Sequence, residues 1–219
     1  MPGLSTLAML AVLLFLGTWQ LQRLVWKQGQ LAAIAVAETA PPVPLGPTPA
    51  PYTRVRVEGV FPPATVVAYG SETRSIRGAT VGGTRLIAVL MRDDGPPVLV
   101  DQGWIPDMLA NPLPIMAAEQ AVVEGYVRPA ETPGTFTPAP DLERKRFYAL
   151  DPVAIGRALG VTDLAPFIVV AMSPTGIGDP ARAMPRPANN HLTYALTWYG
   201  LAVVLLVIFA IYVRKVRRP

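Results

Sequence analysis

Two long stretches without a charged residue, one at each end of the chain, constrain this sequence more than any other feature. Of the 219 residues, none in 1–22 and none in 187–213 is Asp, Glu, Lys or Arg. A helix that crosses the hydrocarbon core of a bilayer needs about 20 apolar residues. The apolar runs at 4–21 and 195–213 are that long, so the sequence predicts two transmembrane helices joined by one long segment.

Aromatic residues border both runs, as they border membrane spans. Trp19 and Trp26 flank the first run, and Tyr194 and Trp198 open the second, at the depth where aromatic belts lie. The Ala-Val-Ala sequence at 35–37 resembles a signal-peptidase site, but it lies too far beyond the apolar run. We therefore expect an uncleaved anchor and a chain that interacts with the lipid bilayer.

Charge and residue counts exclude several function classes. The net charge is +4, and residues 214–219 alone hold four basic residues. Because the excess charge lies in this tail, we expect no nucleic-acid partner, and the tail favours a cytoplasmic location for both termini. The chain has no cysteine and one histidine, His191, which excludes disulfides, thiolate metal sites and zinc sites built on several histidines.

The long middle segment predicts a mainly β domain behind a Pro-rich linker. Residues 41–51 contain six prolines and favour an extended chain. Strand-like runs bounded by turn residues follow at 54–58, 65–69, 84–91, 98–100, 121–127 and 166–171. One helix is predicted at 151–159, with Asp151 as its N-cap and Gly160 at its end. These elements indicate a small barrel or a sandwich.

The predicted fold class is a membrane protein with two transmembrane α-helices that flank a mainly β (α+β) extracytoplasmic domain. Its predicted parts are an N-terminal transmembrane helix with its extension at 1–27, a Pro-rich linker at 28–52, a β-rich domain at 53–186, a C-terminal transmembrane helix with the motif that leads into it at 187–213, and a basic tail at 214–219. The sequence contains neither a Walker loop nor a Gly-x-Ser-x-Gly elbow, so we expect no enzyme.

The second apolar run suggests a binding site. If its helix begins near Asn190, His191, Tyr194, Ala195 and Trp198 share one face. A lone neutral imidazole beside an aromatic surface suits one axial ligand of a haem iron. The alternative is an interfacial polar residue that caps the helix.

The first helix carries residues that would complete such a site. Trp19, Arg23 and Trp26 are spaced i, i+4 and i+7 on one face, and the alternative for them is an aromatic belt with snorkelling cations. Both helix ends adjoin the same loop, so they lie at the same membrane face. The predicted haem pocket contains His191 as ligand, Trp198 and Tyr194 as the wall, Trp19 nearby, and Arg23 or Arg186 as partners of a propionate.

Two segments carry a resemblance to a known family. Leu-Gly-Thr-Trp-Gln-Leu-Gln-Arg-Leu-Val-Trp-Lys at 16–27 and Asn-Asn-His-Leu-Thr-Tyr-Ala-Leu-Thr-Trp-Tyr-Gly at 189–200 resemble the terminal signatures of the surfeit-locus family of cytochrome c oxidase assembly proteins. Residues 98–106 resemble the central hairpin of that family. Gln102 stands in this hairpin where the family usually has arginine, so no role is carried over to it.

The resemblance implies a function and a location. Family members are two-span proteins of the bacterial plasma membrane or the mitochondrial inner membrane, with cytoplasmic termini and a periplasmic or intermembrane-space domain. They assist oxidase biogenesis without catalysis of their own. The expected partners are oxidase subunit I and haem a synthase. The resemblance implies that His191 binds the iron of non-covalently held haem a for insertion into subunit I; the alternative is a scaffold that stabilises oxidase intermediates without haem.

Overall fold

The computed structural model describes residues 2–63, 66–115 and 117–217. Its helices are α1 (Pro2–Thr39), α2 (Asp107–Ala110), α3 (Pro152–Leu159) and α4 (His191–Val216). Its strands are β1 (Val43–Pro44), β2 (Arg54–Phe61), β3 (Val66–Ile76), β4 (Ala79–Leu90), β5 (Val98–Pro106), β6 (Glu119–Pro129), β7 (Arg146–Phe147) and β8 (Phe167–Ala171). They form two compact units: a helical unit of α1 up to Val36 with the chain from Pro185 onward, and a β unit of Ala37–Met184.

The two predicted spans are helices. Both α1 and α4 are long and apolar enough to cross a membrane, and their apolar windows are almost entirely exposed on the outside of the protein. Apolar residues that point outward along a whole helix are at home in lipid. With the mixed sheet between them, these helices confirm the predicted fold class and fit a two-span membrane protein.

The first helix is longer than predicted. It ends at Thr39, whereas the sequence predicted a linker from residue 28. Residues 28–39 contain no proline and four alanines, and alanine favours helix most strongly. Pro41 and Pro42 then stop the helix because proline lacks the backbone donor. The rest of the predicted linker contains the short strand β1, which pairs in parallel with β2.

The second span begins and ends close to its predicted bounds. α4 starts at His191, with Asn190 at the N-cap position, in agreement with the helix start predicted near Asn190. The helix continues to Val216, so Arg214 and Lys215 of the predicted basic tail are helical. Residues 218–219 of that tail lie outside the described residues.

The β unit is built on one mixed sheet. Its strand order is β1-β2-β6-β8-β5-β4-β3-β7. The sheet curls until Val60 at the end of β2 and Met91 after β4 exchange backbone hydrogen bonds of 2.8 and 2.9 Å. This pair closes strands β2, β6, β8, β5 and β4 at one end, which settles the barrel-or-sandwich alternative in favour of a partly open barrel.

All six predicted strand runs lie in or overlap strands, and Thr65, the first residue of the 65–69 run, lies outside the described residues. The sequence did not predict β1, β7 or α2. It also did not predict that β3 and β4 continue into a long hairpin over 70–83, where Gly70, Gly78, Gly82 and Gly83 break the apolar pattern. Glycine is depleted in strands, so a segment with several glycines lacks the apolar pattern from which strands are predicted.

Both faces of the central strands are buried. In β4, Leu86, Ala88 and Leu90 belong to one apolar cluster, and Ile87 and Val89 belong to a second. The second cluster also contains Ile155 of α3, so this helix covers one face of the sheet. Burial on both faces explains why residues 86–90 form an uninterrupted apolar run rather than an alternating one.

The predicted helix at 151–159 is confirmed with its caps. The Asp151 carboxylate accepts hydrogen bonds from the backbone N–H groups of Val153 at 2.9 Å and Ala154 at 3.3 Å. Pro152 occupies the first turn, where its missing donor costs nothing. Gly160 ends the helix with a φ of 69°, a conformation that glycine adopts without strain.

Strand β5 contains two fully buried polar side chains and a glycine with a positive φ. Asp101 is fully buried, and the Arg85 guanidinium donates to its carboxylate at 2.6 Å. Gln102 is also fully buried and donates to the carbonyl of Thr175 at 3.2 Å. Gly103 has a φ of 111°, which allows the chain to turn so that Trp104 pairs with the backbone of Asp179.

Candidate functional site

The helices α1 and α4 contact each other along one stripe of each. Residues at alternating spacings of three and four are shielded, while most of their neighbours are exposed. The stripes contain Leu10, Leu13, Gly17, Gln20 and Leu24 of α1, and His191, Ala195, Trp198, Ala202 and Leu205 of α4. Small residues in these stripes, of which Ala195 and Ala202 are almost completely buried, allow close approach of helices in lipid.

An aromatic ring fixes how far the helices are shifted along each other. A Cβ added to Gly17 would lie 2.8 Å from Cε1 of Tyr199, so the ring lies directly against the α1 backbone. The Tyr199 hydroxyl also forms a hydrogen bond of 3.1 Å with the Thr18 hydroxyl. These two contacts place the end of the apolar part of α1 beside the start of α4.

One turn farther along α1, a hydrogen bond joins the two helices. Nδ1 of His191 lies 2.7 Å from Oε1 of Gln20. A carboxamide oxygen can only accept, so Nδ1 carries the proton and Nε2 keeps its lone pair. Among the described residues, Nε2 of His191 has no hydrogen-bond partner. The half-buried imidazole is therefore oriented by one nitrogen and can bind a metal ion through the other.

Two buried polar atoms on the same segment lack partners. Nε1 of Trp198 and Oδ1 of Asn189 are inaccessible to solvent and have no hydrogen-bond partner among the described residues. An unsatisfied buried polar group costs about 1–3 kcal/mol. A donor and an acceptor of this kind, on the segment that contains His191, could bind the polar groups of a ligand.

The structure separates the predicted wall residues. His191 and Trp198 lie on the stripe that faces α1, together with Ala195. Tyr194, however, is 55% exposed and is not part of this stripe. The structure therefore brings Trp198, but not Tyr194, to the helix contact, because positions i+4 and i+7 from His191 follow the stripe more closely than i+3 does.

The predicted cations take two different positions. The Arg23 guanidinium stacks between Trp19 and Trp26, at 5.8 and 5.2 Å from the ring centroids. This cation–π arrangement leaves the edge of the guanidinium able to donate to an anion. Arg23 lies one turn from Gln20, whereas Arg186 is exposed in the segment before α4. The two tryptophan rings thus fix the orientation of the Arg23 guanidinium.

Gln20 is the residue that the sequence did not assign to the site. Its signal was present, because Gln20 is an uncharged polar residue that follows Leu13 and Gly17 at spacings of seven and three in an apolar helix. A polar side chain on the shielded stripe of a membrane helix usually forms a hydrogen bond to another helix. The partner could not be named, because His191 lies 171 residues away in the sequence.

The β unit contains a polar cluster of its own. The Tyr69 hydroxyl donates to both carboxylate oxygens of Glu131 at 3.0 Å and accepts from Arg128 at 3.3 Å. Glu131 also accepts from Arg128 and from the backbone of Leu150. Burial, rather than any neighbouring charge, is the main cause that raises the pKa of Tyr69 above its ordinary value. Each polar group has a partner, so the cluster is a structural element that ties β3 to the chain after β6.

The β unit also exposes large apolar side chains. Met108, Ile115 and Phe136 are 82%, 86% and 98% exposed. Ile115 borders a cavity of about 410 Å³ that Arg144 and Lys145 also line. Isolated exposed apolar residues are common, but side chains as exposed as these can contact a protein partner without any rearrangement.

Comparison with known proteins finds one family. The model of the SURF1 family matches residues 7–203. The SURF1-like protein of Rickettsia bellii is 30% identical, covering 97% of this chain and 91% of that protein. Surfeit locus protein 1 of Takifugu rubripes is 30% identical, covering 92% and 93%, and Surfeit locus protein 1 of Homo sapiens is 31% identical, covering 85% and 69%.

Proposed function

The chain belongs to the SURF1 family, and on that premise we propose that it assists the assembly of cytochrome c oxidase by holding haem a for insertion into subunit I. The resemblance of residues 16–27 and 189–200 to the signatures of oxidase assembly proteins supports the general role. The observation that supports haem binding is the oriented His191 imidazole, with Nδ1 bonded to Gln20 and Nε2 without a partner among the described residues.

The arrangement suits a cargo that must be released. Haem supplies an iron ion that accepts an imidazole nitrogen as an axial ligand. In this chain His191 offers that nitrogen, and Arg23 offers a fixed guanidinium for a propionate. Trp198 offers an aromatic surface whose N–H has no partner in the part of the chain that the structure describes. A single axial ligand and no cysteine for covalent attachment leave the cargo free to move on.

The remaining parts of the proposal concern location, partners and the absence of catalysis. We place both termini in the cytoplasm and the β unit on the periplasmic side of the plasma membrane. Subunit I is the recipient of the cargo and haem a synthase is its source. The family assignment supports an assembly factor rather than an enzyme. The exposed side chains of Met108, Ile115 and Phe136 are the candidate contacts for these partners.

The proposal is tested by the absorption spectrum of the detergent-purified chain from cells that synthesise haem a. We expect haem a in the parent, its loss or strong reduction in His191→Ala, and recovery when imidazole is added to that variant. Leu192→Ala is the matched control, since Leu192 is the exposed neighbour of His191 on the same helix turn. Equal haem content in the parent and His191→Ala would contradict the role of His191 as the ligand.

A scaffold that never holds haem is the second candidate, and one observation favours it. The Gln20–His191 hydrogen bond already joins the two helices, so His191 has a structural use without any cargo. This candidate expects a folded parent that binds subunit I but contains no haem. It also expects His191→Ala to support oxidase assembly in a deletion strain, whereas a Met108, Ile115 and Phe136 triple alanine variant would not.

A further inference from the structure

We propose that Gln20 is a positioning residue that holds the imidazole of His191 in the tautomer with its proton on Nδ1, so that Nε2 is the metal-binding nitrogen. This inference rests on the proposed function, because it names the atom through which His191 would bind its cargo. Its own observation is the contact of 2.7 Å between Oε1 of Gln20 and Nδ1 of His191.

The direction of this hydrogen bond decides which nitrogen can bind a metal ion. Gln20 presents its oxygen to Nδ1, and an oxygen requires a proton on Nδ1. A neutral imidazole has one proton, so Nε2 is then bare. If Gln20 presented its amide nitrogen instead, Nδ1 would accept, Nε2 would be protonated, and the ring could not bind iron through Nε2. The two orientations therefore predict opposite tautomers.

The position of Gln20 makes this bond a durable one. Gln20 lies on the stripe of α1 that faces α4, one turn from Gly17, and the Tyr199 ring packs against Gly17. The Thr18–Tyr199 hydrogen bond holds the same part of α1 against α4. Both side chains are half-buried. The side-chain orientation is thus fixed by helix packing rather than by a flexible loop.

The role of Gln20 has a chemical consequence for the ligand. A hydrogen bond from the second ring nitrogen orients a metal-binding imidazole and raises its basicity, and loss of such a partner typically weakens metal binding 10- to 100-fold. We therefore expect Gln20→Leu to weaken haem binding by about 10- to 100-fold. We expect Gln20→Glu to keep it, since a carboxylate also accepts from Nδ1.

The test uses the fact that the chain contains a single histidine. The full chain, purified in detergent without a polyhistidine tag and labelled with ¹⁵N-histidine, gives ring-nitrogen signals from His191 alone. The protonated and bare nitrogens of a neutral imidazole resonate far apart, so the two tautomers are distinguished directly. We expect the parent to show the Nδ1–H tautomer, Gln20→Glu to retain it, and Gln20→Leu to shift to the Nε2–H tautomer or a mixture.

Gln22→Leu is the matched control, because Gln22 is the same residue type two positions on and points outward. We expect it to leave the tautomer unchanged. An Nε2–H tautomer in the parent, or an unchanged tautomer in Gln20→Leu, would overturn the inference whatever the haem content. If Gln20→Leu does not fold, an Nε2–H tautomer in the parent or in Gln20→Glu would still overturn the inference.

The failure of the inference differs from the failure of the proposed function. A Gln20-dependent Nδ1–H tautomer in a parent that contains no haem a would overturn the cargo proposal and keep Gln20 as the residue that sets the tautomer. A parent that binds haem a through His191, with equal affinity in Gln20→Leu, would keep the cargo proposal and overturn the positioning role of Gln20.

Discussion

Gly103 offers a quantitative test of how the β unit is held together. Its φ is 111°, a conformation that residues with a side chain rarely adopt, and a Cβ at this position would lie 2.0 Å from the carbonyl oxygen of Asp179. That carbonyl takes part in a pair of backbone hydrogen bonds, of 3.0 and 2.8 Å, between Trp104 and Asp179. Alanine at position 103 would fit only if this backbone pair separated.

The cost of Gly103→Ala is the sum of the backbone strain and the loss of the two hydrogen bonds. A residue forced into a sparsely populated backbone region costs about 1–3 kcal/mol, and each of the two hydrogen bonds contributes about 0.5–1.5 kcal/mol. We therefore expect the free energy of unfolding to fall by about 2–6 kcal/mol. At about 2–4 °C per kcal/mol for a domain of this size, the melting temperature should fall by at least about 4 °C.

Alanine substitutions at three other glycines distinguish the cost of a strained backbone from the cost of steric overlap. Gly125 has no positive φ, but a Cβ there would lie 2.1 Å from the Val170 carbonyl oxygen. Gly78 has a φ of 82° with nothing within 4 Å, and Gly46 has neither strain nor overlap. We expect Gly103→Ala to cost the most, Gly125→Ala to cost the overlap alone, and Gly78→Ala to cost about 1–2 kcal/mol. Gly46→Ala should be neutral or slightly stabilising.

The assay is thermal unfolding of the four variants in detergent, followed by near-ultraviolet circular dichroism. A Gly103→Ala variant that melts within about 1 °C of Gly46→Ala, on a scale of about 2–4 °C per kcal/mol, would refute the reasoning. It would mean that the chain around residue 103 rearranges without losing its pairing with Asp179.

Three further predictions concern the charged groups of the β unit. Asp101→Ala removes the nearer carboxylate partner of the largely buried Arg85 guanidinium and leaves it Glu72 at 3.9 Å. The substitution should cost about 3 kcal/mol in urea unfolding, part of which Arg85→Met in the same chain restores. Burial raises the pKa of Tyr69, so at alkaline pH the folded state keeps a proton that the unfolded chain loses. The free energy of unfolding should therefore fall as the pH rises above about 10, and it should fall less steeply in Tyr69→Phe. Asp151→Ala removes two hydrogen bonds to the first turn of α3 and should cost about 1 kcal/mol in urea unfolding.

Each of these predictions has an outcome that contradicts it. An Asp101→Ala chain as stable as the parent would show that Glu72 or water satisfies the Arg85 guanidinium without Asp101. A pH dependence above pH 10 that is identical in Tyr69→Phe would assign the alkaline destabilisation to other groups. An unchanged Asp151→Ala chain would mean that solvent satisfies the first turn of α3.

The sequence predicted those elements whose residues are neighbours along the chain. The two spans follow from uninterrupted apolar length, and α3 follows from Asp151, Pro152 and Gly160 in their expected places. The sequence did not predict the extension of α1 to Thr39. The run of prolines from Pro41 indicated an extended segment, and the predicted linker included the alanines before it. The strands β1 and β7 have two residues each, too few for any periodic pattern to appear.

In the candidate site too, features that depend on spacing along one helix were predicted, and features that depend on packing between helices were not. His191 and Trp198 were predicted because they share a helix face at a spacing of seven, and the structure places both on the stripe that faces α1. Tyr194 was predicted from the same kind of helical spacing, yet it is exposed. Only the packing of α1 decides which edge of a helix face is covered. Whether any of these residues binds haem stays a prediction, since spacing and packing both describe the protein alone.

Gln20 marks the limit of inference from a single sequence. Its place on the shielded stripe can be read from the spacing, and its need for a partner follows from the cost of an unpaired amide in an apolar surrounding. Its partner cannot be read from the sequence, since a hydrogen bond across 171 residues leaves no local pattern. The structure supplies that partner and, with it, a chemical statement about His191 that spacing could not make: one ring nitrogen is occupied by the helix contact, so any metal ion must bind the other.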